Sequence, residues 1–306
     1  MQFNSLLFVI FAPAAVLLCY AVPAKLRTWY ILAASLVFYS TFGIPSLLVL
    51  SGIILITFLA ARLISRNRSG AVFTASVVLL AGMLSSIRFM DRAAGTWFGL
   101  PVSFSLFVPV GLSFFTLNAI GYLCDLYKGK TDSPLSFPET ALFLSFFPVV
   151  TSGPILRADA FVQELRREPV PLSYARIRKA FLWILWGYFL KLAVAERCAL
   201  LSSGVYGNPA LHGLPVILAV IAYSLQIYAD FAGYSLIAKG LAHGMGITVP
   251  DNFHQPYFAD SVKEFWRRWH MSLSAWLKDY VYIPLGGSRR GKWKTYRNLM
   301  ITFLVS

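Results

Sequence analysis

The first apolar run of this chain, residues 3–22, contains no charged side chain and reads FNSLLFVIFAPAAVLLCYAV. About 20 apolar residues are what an α-helix needs to cross a bilayer. Lipid offers the backbone no hydrogen-bond partners, so a crossing segment must be a helix or part of a closed barrel. Barrel strands are short and alternate in polarity, whereas this run is long and continuous. The pattern therefore predicts membrane helices.

Charged residues are scarce throughout the chain, at 13% of 306 residues, while 58% are hydrophobic. A soluble domain has about 25% charged residues and could not bury this much apolar surface. The formal net charge of +14 is explained by basic cytoplasmic loops, which favours membrane lipids over nucleic acid as the contact. The first run lacks the basic start and small-residue cleavage site of a signal peptide, so we expect a retained anchor.

The apolar pattern predicts an all-α, polytopic membrane protein with roughly eight to ten membrane helices, some of them short or re-entrant. Gly43-Ile44-Pro45 predicts a hinge between two helices, because proline disfavours helix in the residue before it. No repeat, low-complexity tract or linker is present, which favours one domain over residues 1–306. The candidate spans are 3–22, 29–42, 45–61, 71–90, 102–124, 140–156, 181–199 and 214–236, followed by shorter apolar patches near 237–249 and 298–306.

The segment 261–282 is too polar to span but rich in aromatic residues. At helical spacing it separates into an aromatic face and a polar face, which predicts an interfacial amphipathic helix or one that lines a polar cavity. The aromatic face would carry Phe265, Trp269, Leu273, Trp276 and Tyr280, and the polar face Lys263, Arg267, His270 and Ser274.

His270 is the first candidate for chemistry, because imidazole can move a proton near neutral pH and acyl transfer to a hydroxyl needs a base. The alternative is a histidine that only forms a hydrogen bond at the interface. His212, His243 and His254 show no metal-ligand spacing, so no metal site is expected. The three cysteines lie in or beside apolar runs and are expected to be small core residues.

Two other polar features leave alternatives open. Asp230 follows a long apolar run, so it marks either a polar pocket or the end of a helix. A basic patch follows the amphipathic segment, and it is either a positive-inside anchor or a site that attracts an anionic donor such as a phosphate-bearing acyl carrier. The patch consists of Arg289, Arg290, Lys292, Lys294 and Arg297.

The block at 251–292, DNFHQPYFADSVKEFWRRWHMSLSAWLKDYVYIPLGGSRRGK, closely resembles the membrane-bound O-acyltransferase family. The resemblance extends in order over most of the chain, and the alginate O-acetyltransferase branch is the most similar. Supporting matches are PVGLSFFTLNAIGYLCDLYKG at 109–129, LSFFPVVTSGPILR at 144–157 and YADFAGYSLIAKGLAHGMGI at 228–247.

The resemblance implies a multi-pass enzyme of the bacterial inner membrane that moves an acyl group, usually acetyl, to a hydroxyl acceptor. It implies no tightly bound cofactor; the donor would be acetyl-CoA or an acyl carrier. Periplasmic acetyltransferase partner proteins would place the group on a polysaccharide such as alginate. His270 matches the first functional histidine of the family, in its RWH motif. The residues expected along the substrate and donor path are Trp266, Arg267, Arg268, Trp269, Ser272 and Asp230.

The chain also departs from the family pattern. The second functional histidine of the family lies in a GLWHG-like motif beyond the equivalent of 301–306, and none of the four histidines present can take that role. The resemblance thus implies a fragment or an inactive truncated relative. Leu236 and His254 stand where relatives tend to have an acid and an asparagine. The competing hypotheses are a non-catalytic scaffold or acyl conduit for a separate transferase and, less favoured without paired inverted halves, a transporter.

Overall fold

The computed structural model describes residues 3–96, 108–131, 133–289 and 291–305, with the backbone alone for 87–96. These residues form helices joined by turns and irregular segments, which confirms the all-α prediction. The α-helices in the described ranges are α1 (Leu6–Ala21), α2 (Arg27–Ser40), α3 (Ile44–Asn67), α4 (Gly70–Thr96), α5 (Leu112–Tyr127), α6 (Phe137–Ser145), α7 (Ala158–Arg166), α8 (Tyr174–Tyr188), α9 (Glu196–Tyr206), α10 (Leu214–Gly244), α11 (Val262–Arg268), α12 (Met271–Leu277) and α13 (Lys292–Val305). Shorter elements are 3₁₀ turns at Ala24–Leu26 and Pro256–Phe258 and π-helical segments at Phe189–Ala195 and Lys278–Tyr282.

Two of the described helices, α3 and α10, are long and apolar enough to cross a membrane, judged by length and composition. Helix α1 and the first part of α4, Gly70–Ser86, are apolar but shorter. The first residues of the predicted span 102–124, up to residue 107, lie outside the described ranges. The predicted number of eight to ten spans therefore stays a prediction.

The chain divides into two compact units. Unit 1 comprises Met1–Ala24 and Glu168–Asp251, and unit 2 comprises Lys25–Arg167 and Asn252–Ser306. Each unit is built from chain segments far apart in sequence. That the two units act as one domain stays a prediction.

Unit 1 is built around α10, against which α8, the following π-helical segment and α9 pack. Glycines bring α8 and α10 into backbone contact: a Cβ atom added at Gly187 would lie 2.7 Å from the carbonyl oxygen of Gly233. Small residues allow this close approach in membrane helices. The phenol of Tyr20 donates a hydrogen bond to the carbonyl of Gly244 and ties α1 to the end of α10.

Unit 2 has an aromatic core formed by α2, α3, α5 and α6. The Tyr39 phenol donates to the carbonyl oxygen of Val110 at 2.8 Å, so this buried ring has a polar partner. Gly43, with φ 98°, separates α2 from α3, and Pro45 lies in the first turn of α3. The predicted hinge at Gly43-Ile44-Pro45 is therefore confirmed.

The predicted continuous helix over 140–156 is wrong, because α6 ends at Ser145. Pro148 has no N–H to donate and disfavours helix in the residue before it. The chain then runs as a buried irregular segment, residues 146–157, whose backbone groups find protein partners. The Ser35 hydroxyl accepts the N–H of Phe147 at 3.1 Å, and the Asn118 side-chain oxygen accepts that of Leu156 at 2.9 Å. Irregular backbone is tolerated at membrane depth when it is satisfied in this way.

Candidate functional site

His270 lies at a break between two short helices in unit 2. Ser261 caps the start of α11, because its hydroxyl accepts the N–H of Glu264, and the helix ends before Trp269, whose backbone is extended. His270 itself has φ 41° and ψ 55°, in the left-handed region. The predicted continuous amphipathic helix over 261–282 is therefore wrong, since 262–268, 271–277 and 278–282 are separate elements. A left-handed residue other than glycine costs about 1–2 kcal/mol, so surrounding contacts must hold it.

Two backbone hydrogen bonds enclose the break at His270. The carbonyl of Asn252 accepts the N–H of Met271 at 2.9 Å, and the N–H of His254 donates to the carbonyl of Arg268 at 3.0 Å. The irregular segment 252–254 thus forms hydrogen bonds with residues on both sides of His270. These bonds replace the helical bonds that are missing at the break, and they explain why the helix stops here.

A buried side-chain network continues from the same point. The Ser272 hydroxyl donates to the Oδ1 atom of Asn252 at 2.6 Å and accepts the N–H of Ile155 at 3.0 Å. Both polar side chains are almost fully buried, with 2% of Asn252 and 8% of Ser272 exposed. This network joins the first turn of α12 to the buried segment 146–157.

An aromatic cluster begins at a ring next to His270. The ring of Phe253 lies 6.5 Å from the imidazole, centroid to centroid, and meets Trp269 edge-on at 5.1 Å. Trp269 in turn stacks on Phe265 at 5.4 Å. Burial lowers the pKa of His270 to about 4, because the charged imidazolium loses hydration there. The ring is therefore neutral near pH 7.

The residues predicted to line the path around His270 have different surroundings. Trp266 is partly exposed and contacts Phe303 of α13 edge-on at 5.4 Å. Arg268 donates to the carboxylate of Glu264 at 3.0 Å, and Arg267 lies 3.6 Å from the same carboxylate. The charge of this basic pair is thus partly balanced within α11. Ser272 is buried, as described above.

An ionic cluster anchors the other end of α12. Arg157 donates to Asp279 at 2.6 Å, lies 3.9 Å from Asp125, and places its guanidinium 4.6 Å from the centre of the Tyr280 ring. The Tyr280 phenol donates to Asp125. Burial, together with this hydrogen bond, raises the pKa of Tyr280. The indole of Trp276 donates to the carbonyl of Leu117 at 2.9 Å, so α12 and the following π-helical segment are held against α5.

Asp230 lies in unit 1, within α10, so the alternative that it ends a helix is wrong. Its carboxylate lies 2.5 Å from the Nζ atom of Lys191, which is buried in the π-helical segment 189–195. The same ammonium lies 4.0 Å from the centre of the Tyr234 ring. Lys191 was not among the residues predicted from the sequence, although a lone lysine inside the apolar run 181–199 is the signal that could have identified it.

The basic patch follows α12, and its members Arg289, Lys292 and Lys294 are exposed. Arg290 lies outside the described residues. Arg297 donates to the side chain of Asn298, whose amide in turn donates to the carbonyl of Gly287 at 2.9 Å. Across the described ranges, no group of three or more histidine, cysteine, aspartate or glutamate side chains is arranged to hold a metal ion.

Comparison with known proteins identifies the family. Residues 130–306, which include α6 to α13 and His270, match the sequence profile of the membrane-bound O-acyltransferase family. The chain belongs to the membrane-bound O-acyltransferase family. This confirms the resemblance drawn from the block at 251–292, and it makes the chain an integral membrane protein.

Curated relatives from several bacteria share this family's sequence pattern. The chain is 31% identical to the "Probable alginate O-acetylase AlgI" of Pseudomonas aeruginosa, over all of this chain and 61% of the relative. It is 31% identical to the "Peptidoglycan O-acetyltransferase" of Helicobacter pylori, over 91% of this chain and 59% of the relative. Identity to the "Teichoic acid D-alanyltransferase" of Bacillus subtilis is 32%, over 57% of this chain and 45% of the relative. The chain thus spans about three fifths of the length of the alginate-type relatives.

Proposed function

We propose that this chain carries part of the acyl-transfer site of a multi-pass O-acyltransferase in the bacterial inner membrane. The enzyme would move an acetyl group to a hydroxyl of an extracellular or periplasmic polysaccharide, of which alginate is one candidate. His270 would be the catalytic residue contributed by the described part of the chain. The support comes from family membership and from the way in which His270 is held.

The observation that carries the proposal is that His270 is held at a helix break and desolvated by burial, with the Phe253 ring near its imidazole. A neutral imidazole has one ring nitrogen that can accept a proton. In the proposed step, the acceptor hydroxyl oxygen bonds to the acyl carbon of a thioester donor and the carbon–sulfur bond breaks. The hydroxyl proton passes through the imidazole to the thiol that leaves. Fixing the ring before substrate arrives reduces the entropic cost of this step.

The three relatives support the substrate class. Their names describe transfer of an acetyl or D-alanyl group to alginate, peptidoglycan or teichoic acid. The shared chemistry is an acyl group placed on a cell-envelope polymer, so we propose an envelope polysaccharide as the final acceptor. Acetyl-CoA or an acyl carrier is the proposed donor, and periplasmic acetyltransferase proteins are the proposed partners. The exposed basic patch after α12 would attract the phosphate groups of such a donor.

The test is the ester content of the envelope polysaccharide in cells that express the protein from its own gene. His270→Ala is expected to lower base-labile acetate at least tenfold, because a positioned acid–base residue contributes about 10²–10⁴ in rate. His212→Ala, an exposed histidine in unit 1, is the matched control and should leave acetylation unchanged. Normal acetylation in His270→Ala cells would refute the role of this residue. A purified protein that binds a partner but transfers no label from acetyl-CoA would favour the scaffold hypothesis.

A further inference from the structure

The conformation of His270 depends on residues outside its own helix pair. Its left-handed backbone is unfavourable for a non-glycine residue, and α11 ends and α12 begins on its two sides. The N-terminal side is held by the bond from His254 to Arg268, and the C-terminal side by the bond from Met271 to Asn252. Loss of either bond would remove part of the support for this unfavourable conformation.

Asn252 has a double role in this arrangement. Its backbone carbonyl accepts the N–H of Met271, and its side-chain oxygen accepts the hydroxyl of Ser272. One residue therefore binds the first two residues of α12, directly after His270. The side chain of Asn252 is 2% exposed, so these bonds form where water competes little for either partner.

Ser272 extends the support to a buried part of unit 2. Its hydroxyl accepts the N–H of Ile155, and the next residue, Leu156, donates to the side chain of Asn118 in α5. A continuous chain of hydrogen bonds thus runs from α5 through the segment 146–157 to the residues that flank His270. Alanine at position 272 would remove the hydroxyl that Asn252 accepts and would leave the N–H of Ile155 buried without an acceptor.

We propose that Asn252 and Ser272 are positioning residues that fix the imidazole of His270 for acyl transfer. The inference rests on the proposed function of His270, and it revises the expectation that Ser272 lines the substrate path. Ser272 contacts Asn252 and Ile155, and it acts through His270. A displacement of about 1 Å at a reacting group can cost about a hundredfold in rate, so loss of this support should lower turnover about ten- to a hundredfold.

The experiment measures polysaccharide acetylation per folded molecule of membrane protein, with the amount of folded protein taken from its monodisperse fraction in detergent. Ser272→Ala is expected to lower acetylation about ten- to a hundredfold, whereas Ser272→Thr, which keeps the hydroxyl, should restore most of it. The matched control is Ser202→Ala, because Ser202 is also buried and donates to the side chain of Gln226 at 3.0 Å in unit 1. That variant should lower the amount of folded protein without lowering acetylation per folded molecule.

A double variant separates positioning from independent effects. If Ser272 acts through His270, then Ser272→Ala should cause no further loss in a His270→Ala background. If Ser272→Ala does not accumulate, Asn252→Ala removes the Oδ1 atom that accepts the Ser272 hydroxyl, and it should show a similar loss of turnover. Normal turnover per folded molecule in these variants, with His270→Ala inactive, would overturn the positioning role and leave the proposed function intact. Normal acetylation in His270→Ala cells would instead overturn the proposed function and, with it, this inference.

Discussion

Alanine at Gly187 tests whether α8 and α10 are in backbone contact in unit 1. The added Cβ atom would lie 2.7 Å from the carbonyl oxygen of Gly233 and 2.8 Å from the Cγ1 atom of Ile237. Ordinary contacts of this kind are about 3.5 Å or longer. The oxygen belongs to the backbone of α10 and cannot turn aside, so the two helices must separate along their contact.

The expected loss follows from two opposing effects. Overpacking a well-packed interface costs about 1–3 kcal/mol, whereas alanine in place of glycine inside a helix gains up to about 1 kcal/mol. The net effect of Gly187→Ala is therefore a destabilisation of up to about 2 kcal/mol. Gly240→Ala should act in the same direction, because its Cβ atom would lie 2.8 Å from the carbonyl oxygen of Ala180.

Gly204 provides the matched control within the same unit. It lies in α9, and a Cβ atom added there would meet no atom within 4 Å. Gly204→Ala should keep only the gain in helix propensity and become more stable by up to about 1 kcal/mol. Reversible unfolding of the purified protein in mixed micelles measures both variants. If Gly187→Ala proved as stable as Gly204→Ala, the inferred contact between α8 and α10 would be refuted.

Two further outcomes are expected from charged and titratable groups. Lys191→Met should lower the free energy of unfolding by about 2 kcal/mol, which is less than for a fully buried pair because Asp230 is about half exposed. Adding Asp230→Leu should recover most of this loss in the same unfolding assay. An equal or larger loss in the double variant would contradict the pairing. The pKa of His270 is about 4 in the folded protein and about 6.5 in the unfolded chain, so the unfolded state binds a proton first as the pH falls. The stabilising contribution of the neutral ring is complete above about pH 7 and is lost between about pH 6.5 and 4, by at most about 3 kcal/mol. His270→Gln should flatten the stability profile in that window, and an unchanged slope would show that the ring is not desolvated.

Several helices of this protein could be predicted from the sequence because they depend on local patterns. Long apolar runs produced α1, α3 and α10, and Gly43 with Pro45 produced the hinge before α3. The predicted span 214–236 and the apolar patch 237–249 join into one helix up to Gly244. Asp230 does not end this helix, because Lys191 on a neighbouring element pairs with its carboxylate. Lys191 lies 39 positions from Asp230, so the spacing of apolar residues within one helix could not predict this pair.

The geometry around His270 could not be predicted from the sequence, and the roles of the predicted site residues stay predictions. The RWH motif identified His270, and helical spacing grouped Phe265 with Trp269, which do stack. The same spacing predicted an unbroken helix through His270, since nothing in the local sequence marks the left-handed turn. That turn depends on Asn252, which helical periodicity within 261–282 does not include.

The hydrogen bonds around α12 also determine the order in which unit 2 can be completed. Ser272 binds a residue 117 positions earlier in the chain, Trp276 one 159 positions earlier and Tyr280 one 155 positions earlier. At a synthesis rate of about 5–20 residues per second, the segment 146–157 and α5 wait on the order of ten seconds for these partners. During that interval the N–H of Ile155 and the carboxylate of Asp125 must be hydrated or shielded by other groups. Helix α12 can therefore pack against α5 and the segment 146–157 only after both have waited for it, and these polar groups need other partners until then.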